Sequence, residues 1–204
     1  MNKSVSLVRP QNDQTAAVMA AWGDRIAVWC QASAFVLLQD LRGAQAHRGA
    51  VEAVLAQSRA TVFLGHGTWD SLEGEAVLVD DKDVGLAQGG ILIAIACRSA
   101  RNLGQAAIEA GVAAYVGFDD DLVFPFGKLS DRFGEAAMAG IQALLESASA
   151  AEGADRMRRG FEAALHYFKD GAGRSDPSAT LYWLIAAWDR DHVAVKGLPT
   201  ATLG

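Results

Sequence analysis

Cysteine is nearly missing from this sequence: Cys30 and Cys97 are the only two among 204 residues. Two cysteines cannot build a disulfide framework, so each must be judged by its own surroundings. Long apolar runs are missing as well. The most apolar stretch, Ile26 to Leu38, is interrupted by Gln31 and Ser33 and is too short to span a bilayer. The N-terminal run Met-Asn-Lys-Ser-Val-Ser-Leu-Val-Arg-Pro has a lysine but no apolar core, so it does not read as a signal peptide. Both absences point to the cytoplasm and away from a membrane partner. Positive charge is in deficit, with 18 Lys and Arg against 24 Asp and Glu and a net charge of −6. With no basic stripe interleaved with aromatics, direct nucleic-acid binding is excluded. The sequence has no GxSxG elbow, no HExxH and no Walker A loop. His47, His166 and His192 lack metal-ligand spacing. No metal and no redox or organic cofactor is called for.

What is present is an apolar fraction of 51%, enough for a sizeable core in one domain. For the first 118 residues, strand and helix patterns alternate. Val5–Val8 is a short apolar strand ended by Arg9-Pro10. A helix follows whose apolar stripe is Ala17, Val18, Ala21, Trp22, Ile26 and Trp29, with Cys30 also facing the core. Ala34–Leu38 reads as a strand, and a second helix carries Ala50, Val51, Val54 and Leu55 on one face. Thr61–Leu64 is a strand closed abruptly by Gly65-His66-Gly67. The polar, Asp-rich stretch after it holds one β-like run, Ala76–Val79. Ile91–Ala96 is apolar on both faces and belongs in the middle of a parallel sheet. A helix over Gln105–Ala110 and a strand over Ala113–Phe118 complete the alternation.

From about residue 128 the chain turns helical. Phe133, Ala136, Ala137, Ile141, Leu144 and Leu145 form one stripe; Met157, Phe161, Ala164, Leu165 and Phe168 form another. Leu181–Trp188 is apolar nearly all round and is expected to be buried, and Val193 and Val195 mark a last strand at a sheet edge. The pattern predicts a single α/β domain: a mostly parallel sheet of about six strands, with helices on both faces in a three-layer sandwich.

In such sheets active residues gather at the carboxyl ends of central strands. His66 ends one such strand and Cys97 the next, 31 residues further on. That gap allows a crossover back to a neighbouring parallel strand, where the spacing of about 4.8 Å brings strand-end side chains together. A free thiol is mostly protonated at neutral pH; an imidazole and a helix start after Cys97 would favour the thiolate. Gly67 leaves its N–H unobstructed, and with the N–H of Cys97 it can form an oxyanion hole. Taken singly, a buried cysteine is more often a small core residue, and a strand-end histidine is often only hydrogen-bonded in place. Together, at the ends of adjoining buried strands and with Gly67 beside them, the two make a plausible catalytic site. Trp69 is placed along the cleft, and Asp70 is a candidate to orient His66. Arg156, Arg158 and Arg159 read as a solvated face.

TVFLGHG at 61–67 followed by ILIAIACRSA at 91–100 resembles the caspase-like cysteine peptidases, a superfamily that includes caspases, gingipains, separase and bacterial CHAT-domain peptidases. The CHAT and gingipain-like branch is the nearer likeness. LGQAAIEAGVAAYVGF at 103–118 resembles that branch's helix and strand after the cysteine, FGEAAMAGI at 133–141 its following helix, and WDRDHVAVKG at 188–197 its terminal strand. The likeness runs from about Val5 to Gly197.

It implies a caspase-like fold and a thiol protease in which His66 is base and acid and Cys97 the nucleophile, acting on a protein or peptide substrate. The run Ile95-Ala96-Cys97-Arg98-Ser99 lacks the caspase Gln before Ala-Cys and the Gly after it. The His-to-Cys gap is also shorter than the roughly 50 residues of caspases. Caspase-type cleavage after Asp is therefore not implied. The short connection from Cys97 to Ala113 leaves no room for a cleavable linker, so a single-chain enzyme is expected. Relatives with a basic-residue preference carry carboxylates near this part of the pocket, which implies cleavage after Arg or Lys with Asp119 or Asp121 pairing the cation. The alternative for the run Asp119-Asp120-Asp121 is a Ca²⁺ site. No pro-segment is evident, so control by a regulatory or activating protein partner is expected. In bacteria, such resemblances point to antiviral defence or programmed-death systems. Two other readings stay open: a catalytically silent interaction module of the same fold, and a Cys-dependent hydrolase of small amides.

Overall fold

Four runs of the sequence become fully buried strands, three of them apolar at nearly every position. In the computed structural model, which describes residues 4–32 and 35–203, these are β1 (Ser4–Arg9), β3 (Ala60–Leu64), β7 (Ile91–Ile95) and β8 (Ala114–Phe118). With β2 (Val36–Arg42) and β9 (Val193–Gly197) they form a six-stranded sheet in the order β2-β1-β3-β7-β8-β9. Every pairing is parallel except β8 with β9. Strands in the middle of a parallel sheet meet side chains on both faces, which is why they read as unbroken apolar runs. The edge strand β2 instead leaves Val36 and Leu38 partly exposed among polar neighbours. A separate antiparallel sheet joins β4 (His66–Gly67), β5 (Leu72–Glu73) and β6 (Val77–Val79).

The alternation of side chains along each strand divides the core into two layers. Ile91, Ile93 and Ile95 of β7 face one layer together with Leu64, Val116 and Phe118. Leu92, Ala94 and Ala96 face the other, with Phe63 and Tyr115. The first layer is closed by α1 (Gln14–Trp22), α2 (Asp24–Ala32), α5 (Ser130–Leu145), α6 (Ala150–Lys169) and α7 (Ala179–Asp191). The second is closed by α3 (Arg48–Gln57) and α4 (Asn102–Glu109). The expected three-layer α/β architecture is therefore the observed one. Among the described residues, no helix is long and apolar enough to cross a membrane.

Three local expectations are corrected. The first helix is two helices. The chain bends at Gly23, where a side-chain methyl would lie 2.7 Å from Leu64 and 3.1 Å from Arg9. The bend rotates the buried face to Ala16, Met19, Ala20 and Trp22, leaving Ala17 and Ala21 exposed; Cys30 is core as expected. The helix α7 is not buried all round: Leu181, Leu184 and Trp188 are 56%, 49% and 44% exposed, while Ala179, Ala186 and Asp189 face inward. The strand expected at 34–38 begins outside the described residues, as does the start of the N-terminal run; the strand described is Val36–Arg42.

Candidate active site

The order of the sheet has one reversal near its centre. The chain leaves β1 to form β2 on one side, then returns to form β3 on the other. The crevice outside the carboxyl ends of β1 and β3 is where an open α/β sheet accommodates a ligand. His66 lies there, two residues beyond β3, and Cys97 two residues beyond β7. Leu64 pairs with Ile95 at the end of the ladder, and His66 and Cys97 each stand two positions further on, His66 itself pairing with Glu73 in the second sheet. The bond from Gly65 N–H to the Ile95 carbonyl, 3.3 Å, carries the pairing one step past the ladder. Cys97 keeps the parity of Ile91, Ile93 and Ile95 and packs against the same core layer. Gly67 lies flat on the backbone beside it: a methyl group on Gly67 would lie 2.9 Å from both Ala96 Cβ and the Cys97 carbonyl oxygen. Glycine is required there by this close approach.

The hydrogen bonds of the two side chains lead away from each other. His66 Nε2 is 2.7 Å from Asp13 Oδ2. Asp13 is the N-cap of α1, and its Oδ1 accepts from the Ala16 amide at 2.8 Å. That amide, together with His66, holds the Asp13 carboxyl below its usual range. One carboxylate thus starts a helix and orients a histidine at the topological switch point. Asp70, the sequence's candidate for this task, accepts instead from Thr68 Oγ1 at 2.7 Å.

Cys97 donates to the Leu122 carbonyl at 3.7 Å. Burial pushes the Cys97 thiol up, against the backbone hydrogen bond at Leu122 and the charge of Arg98, while the charges of Asp121 and Asp189 add to the rise. The expected thiolate is therefore not favoured in this conformation. The helix start that was to favour it is also displaced, since α4 begins only at Asn102. Between them runs a tight turn. Arg98 has φ 56°, a left-handed conformation that L side chains adopt only under constraint. Its amide donates to the Asp120 carbonyl at 3.0 Å, and that of Ala100 to the Phe118 carbonyl at 3.0 Å. The turn after Cys97 is so docked on the segment after β8.

Cys97 opens into a cleft of about 910 Å³ shared with Gly67, Trp69, Arg98, Leu103 and Asp121. Trp69 is 54% exposed along it, as expected of a cleft residue. Asp121 is in the cleft but already holds Arg98 at 2.5 Å. Asp119 is not there: its carboxylate is 2.8 Å from His192 Nδ1, and its amide donates to the His192 carbonyl at 3.0 Å. Asp120 is held by Arg101 at 2.7 Å. With all three carboxylates engaged by cationic or histidine side chains, the Ca²⁺ alternative is set aside. Among the described residues, no group of three or more His, Cys, Asp and Glu is arranged to hold a metal ion.

Sequence reading missed Asp13, Leu122 and Asp189. An Asp directly before an apolar helix signals an N-cap, but nothing local ties it to a histidine 53 positions on. Leu122 acts through its backbone, for which no residue type is a signal. Asp189 stands inside an apolar helix, and that polar exception was its only mark. No protein-family model matches this chain, and no curated protein matches it significantly.

Proposed function

We propose that the protein is a cysteine peptidase working through Cys97 and His66. The observation that carries this reading is the register of β3 and β7. A histidine and a cysteine each follow, two positions on, the paired ends of adjacent central strands, and the cysteine opens into a cleft. In the proposed reaction the Cys97 thiol gives its proton to His66, and Sγ bonds to the scissile carbonyl carbon. The oxyanion is held by the N–H groups of Gly67 and Cys97. His66 then passes the proton to the leaving amine as the C–N bond breaks. Water attacks the thioester, releasing the new carboxyl end and restoring the thiol. Asp13 orients the imidazole through Nε2, in the role a third group plays in such sites.

The substrate proposed is a protein or peptide cut after Arg or Lys. Its cation would be received on the acidic side of the cleft at Asp121, with Trp69 offering an apolar wall; Asp119 faces away and is not part of this proposal. A cytoplasmic setting, which keeps Cys97 reduced, suits the chemistry. Control by a protein partner belongs to the same proposal, because the thiol is protonated and engaged at rest.

The test is cleavage of a mixed peptide library by the wild type, Cys97→Ala and His66→Ala. Cuts after Arg or Lys that vanish in both variants are expected. Cuts after Asp or after large apolar residues overturn the specificity, and cuts that survive Cys97→Ala overturn the nucleophile. One observation favours the silent-module reading: the Cys97 hydrogen bond goes to Leu122 and not to His66. Thiol labelling at neutral pH separates the two. In a silent module Cys97 reacts no faster than an ordinary thiol under every condition, and His66→Ala changes nothing.

A further inference from the structure

A single peptide group lies between Cys97 and the last helix. Its carbonyl, from Leu122, accepts from the Cys97 thiol at 3.7 Å. Its amide, Val123 N–H, donates to Asp189 Oδ1 at 3.0 Å. Asp189 is 0% exposed, and its second oxygen, Oδ2, has no hydrogen-bond partner. A buried carboxyl group is costly, and an apolar residue would fill this inward position of α7 at no such cost. Among the described residues, the one hydrogen bond of the Asp189 side chain is the bond to this peptide. Burial pushes its own ionisation well above the usual carboxylate range.

The segment it grips is held elsewhere as well. Trp188 Nε1 donates to the Asp121 carbonyl at 2.8 Å, and Arg98 holds the Asp121 carboxylate. Leu122 is buried beside Cys97 in the same core layer. The consequence for the thiol follows from donor and acceptor roles. A carbonyl oxygen only accepts, so the contact directs the Cys97 S–H to Leu122 and not to His66.

We infer that Asp189 is a positioning residue which, through the Leu122–Val123 peptide, latches Cys97 in a resting state, and that activation requires this peptide to move off the thiol. The inference rests on the reading of Cys97 as nucleophile. It gives the expected control by a partner a physical seat: whatever displaces the segment after Asp121 frees the sulfur.

The experiment follows iodoacetamide alkylation of Cys97 in the full chain against pH, with the modified peptide identified by mass spectrometry so that Cys30 does not interfere. Asp189→Asn keeps an oxygen acceptor for Val123 N–H, and its profile is expected to stay within about twofold of wild type. Asp189→Leu keeps the branched outline, with the same number of heavy atoms, and removes the acceptor. Its alkylation at neutral pH is expected to rise about tenfold as the sulfur comes free. A profile unchanged in a cooperatively melting Asp189→Leu protein overturns the inference, as does an Asn variant that behaves like Leu. Should Asp189→Leu not fold, Trp188→Phe at its exposed position carries the test by removing the second grip on the segment. A rise of about threefold supports the latch, and no rise overturns it. The readout does not depend on peptide cleavage. Faster alkylation with no peptide cut in any variant would sink the peptidase and leave the latch; cleavage with unchanged alkylation would do the reverse.

Discussion

Gly67 is where the site's geometry is least forgiving. An added methyl group would meet the Ala96 Cβ and the Cys97 carbonyl oxygen, both at 2.9 Å. Neither is the far end of a flexible side chain, so the strands must part. Gly67→Ala is expected to cost about 1–3 kcal/mol in urea denaturation and to abolish cleavage. Asp13 permits a cleaner separation of roles. Serine also caps helices well, so Asp13→Ser should hold the stability of α1 within about 0.5 kcal/mol. It removes the carboxylate from His66, however, and kcat is expected to fall about tenfold with KM unchanged, a modest loss because the pair is half exposed. Equal loss in Asp13→Asn, which keeps an oxygen beside the ring but not the charge, would identify charge as the active property. These two residues were unequally legible. The strand-end glycine beside His66 announced itself, because a turn out of a buried strand leaves a local pattern. Asp13 announced only its helix, because its second task depends on the sheet order that brings β1 beside β3.

At the scale of elements, Arg9 fixes where the first helices lie. It ends β1, is 1% exposed, and grips Asp40 of β2 with two bonds, Nε to Oδ1 at 2.8 Å and Nη2 to Oδ2 at 2.7 Å. Its Nη1 holds Asp24 at 2.8 Å across the bend between α1 and α2. This one side chain ties an edge strand to the helix pair that carries Asp13. Replacing it leaves carboxylates without their partner, and Arg9→Met is expected to cost about 3 kcal/mol. The pH dependence has a definite sign. Burial alone would raise the Asp40 carboxyl, but Arg9 and Arg42 overcome it and hold Asp40 below its usual range. A depressed carboxylate stabilises the fold above its unfolded value of about 4, and that contribution is lost as pH falls through the lower folded value. The gap in melting temperature between wild type and Arg9→Met should therefore be full near neutrality and shrink below about pH 4. An unchanged gap at low pH would show that Asp40 is not the linked group. Periodicity alone could not reveal the α1–α2 bend, since the stripe through Trp22 and Ile26 continues at helical spacing across Gly23. What breaks the helix is the space Arg9 and Leu64 need, a tertiary demand. The exposed face of α7 was likewise invisible, because composition reports how apolar a helix is and not how much of it is covered.

Across the whole molecule, the central strands were legible because parallel sheets bury both faces, and that burial writes itself as unbroken runs such as Ile91–Ala96. Their order was not written anywhere, yet it decides which strand ends meet. Charge is legible in the opposite way: the sum of −6 is plain in the sequence, while its placement is a property of the fold. The cleft beside Cys97 gathers Asp70, Glu73, Asp80, Asp81 and Asp121, against which it offers only Arg98. Arg48 reaches Asp80 from α3 at 3.0 Å, but the balance stays negative. A cleft of one sign raises the local concentration of an oppositely charged substrate, and added salt screens that attraction over a Debye length of about 10 Å at 0.1 M. For a peptide with several basic residues, kcat/KM is expected to fall about tenfold between low and half-molar salt, while kcat stays level. Asp81→Asn with Glu73→Gln should flatten that slope without touching kcat, since neither side chain bonds Cys97 or His66. The same titration with a neutral peptide of equal length serves as the control. If both peptides lose rate in parallel, salt is acting on the enzyme's conformation, and the acidic cleft has no part in drawing the substrate in.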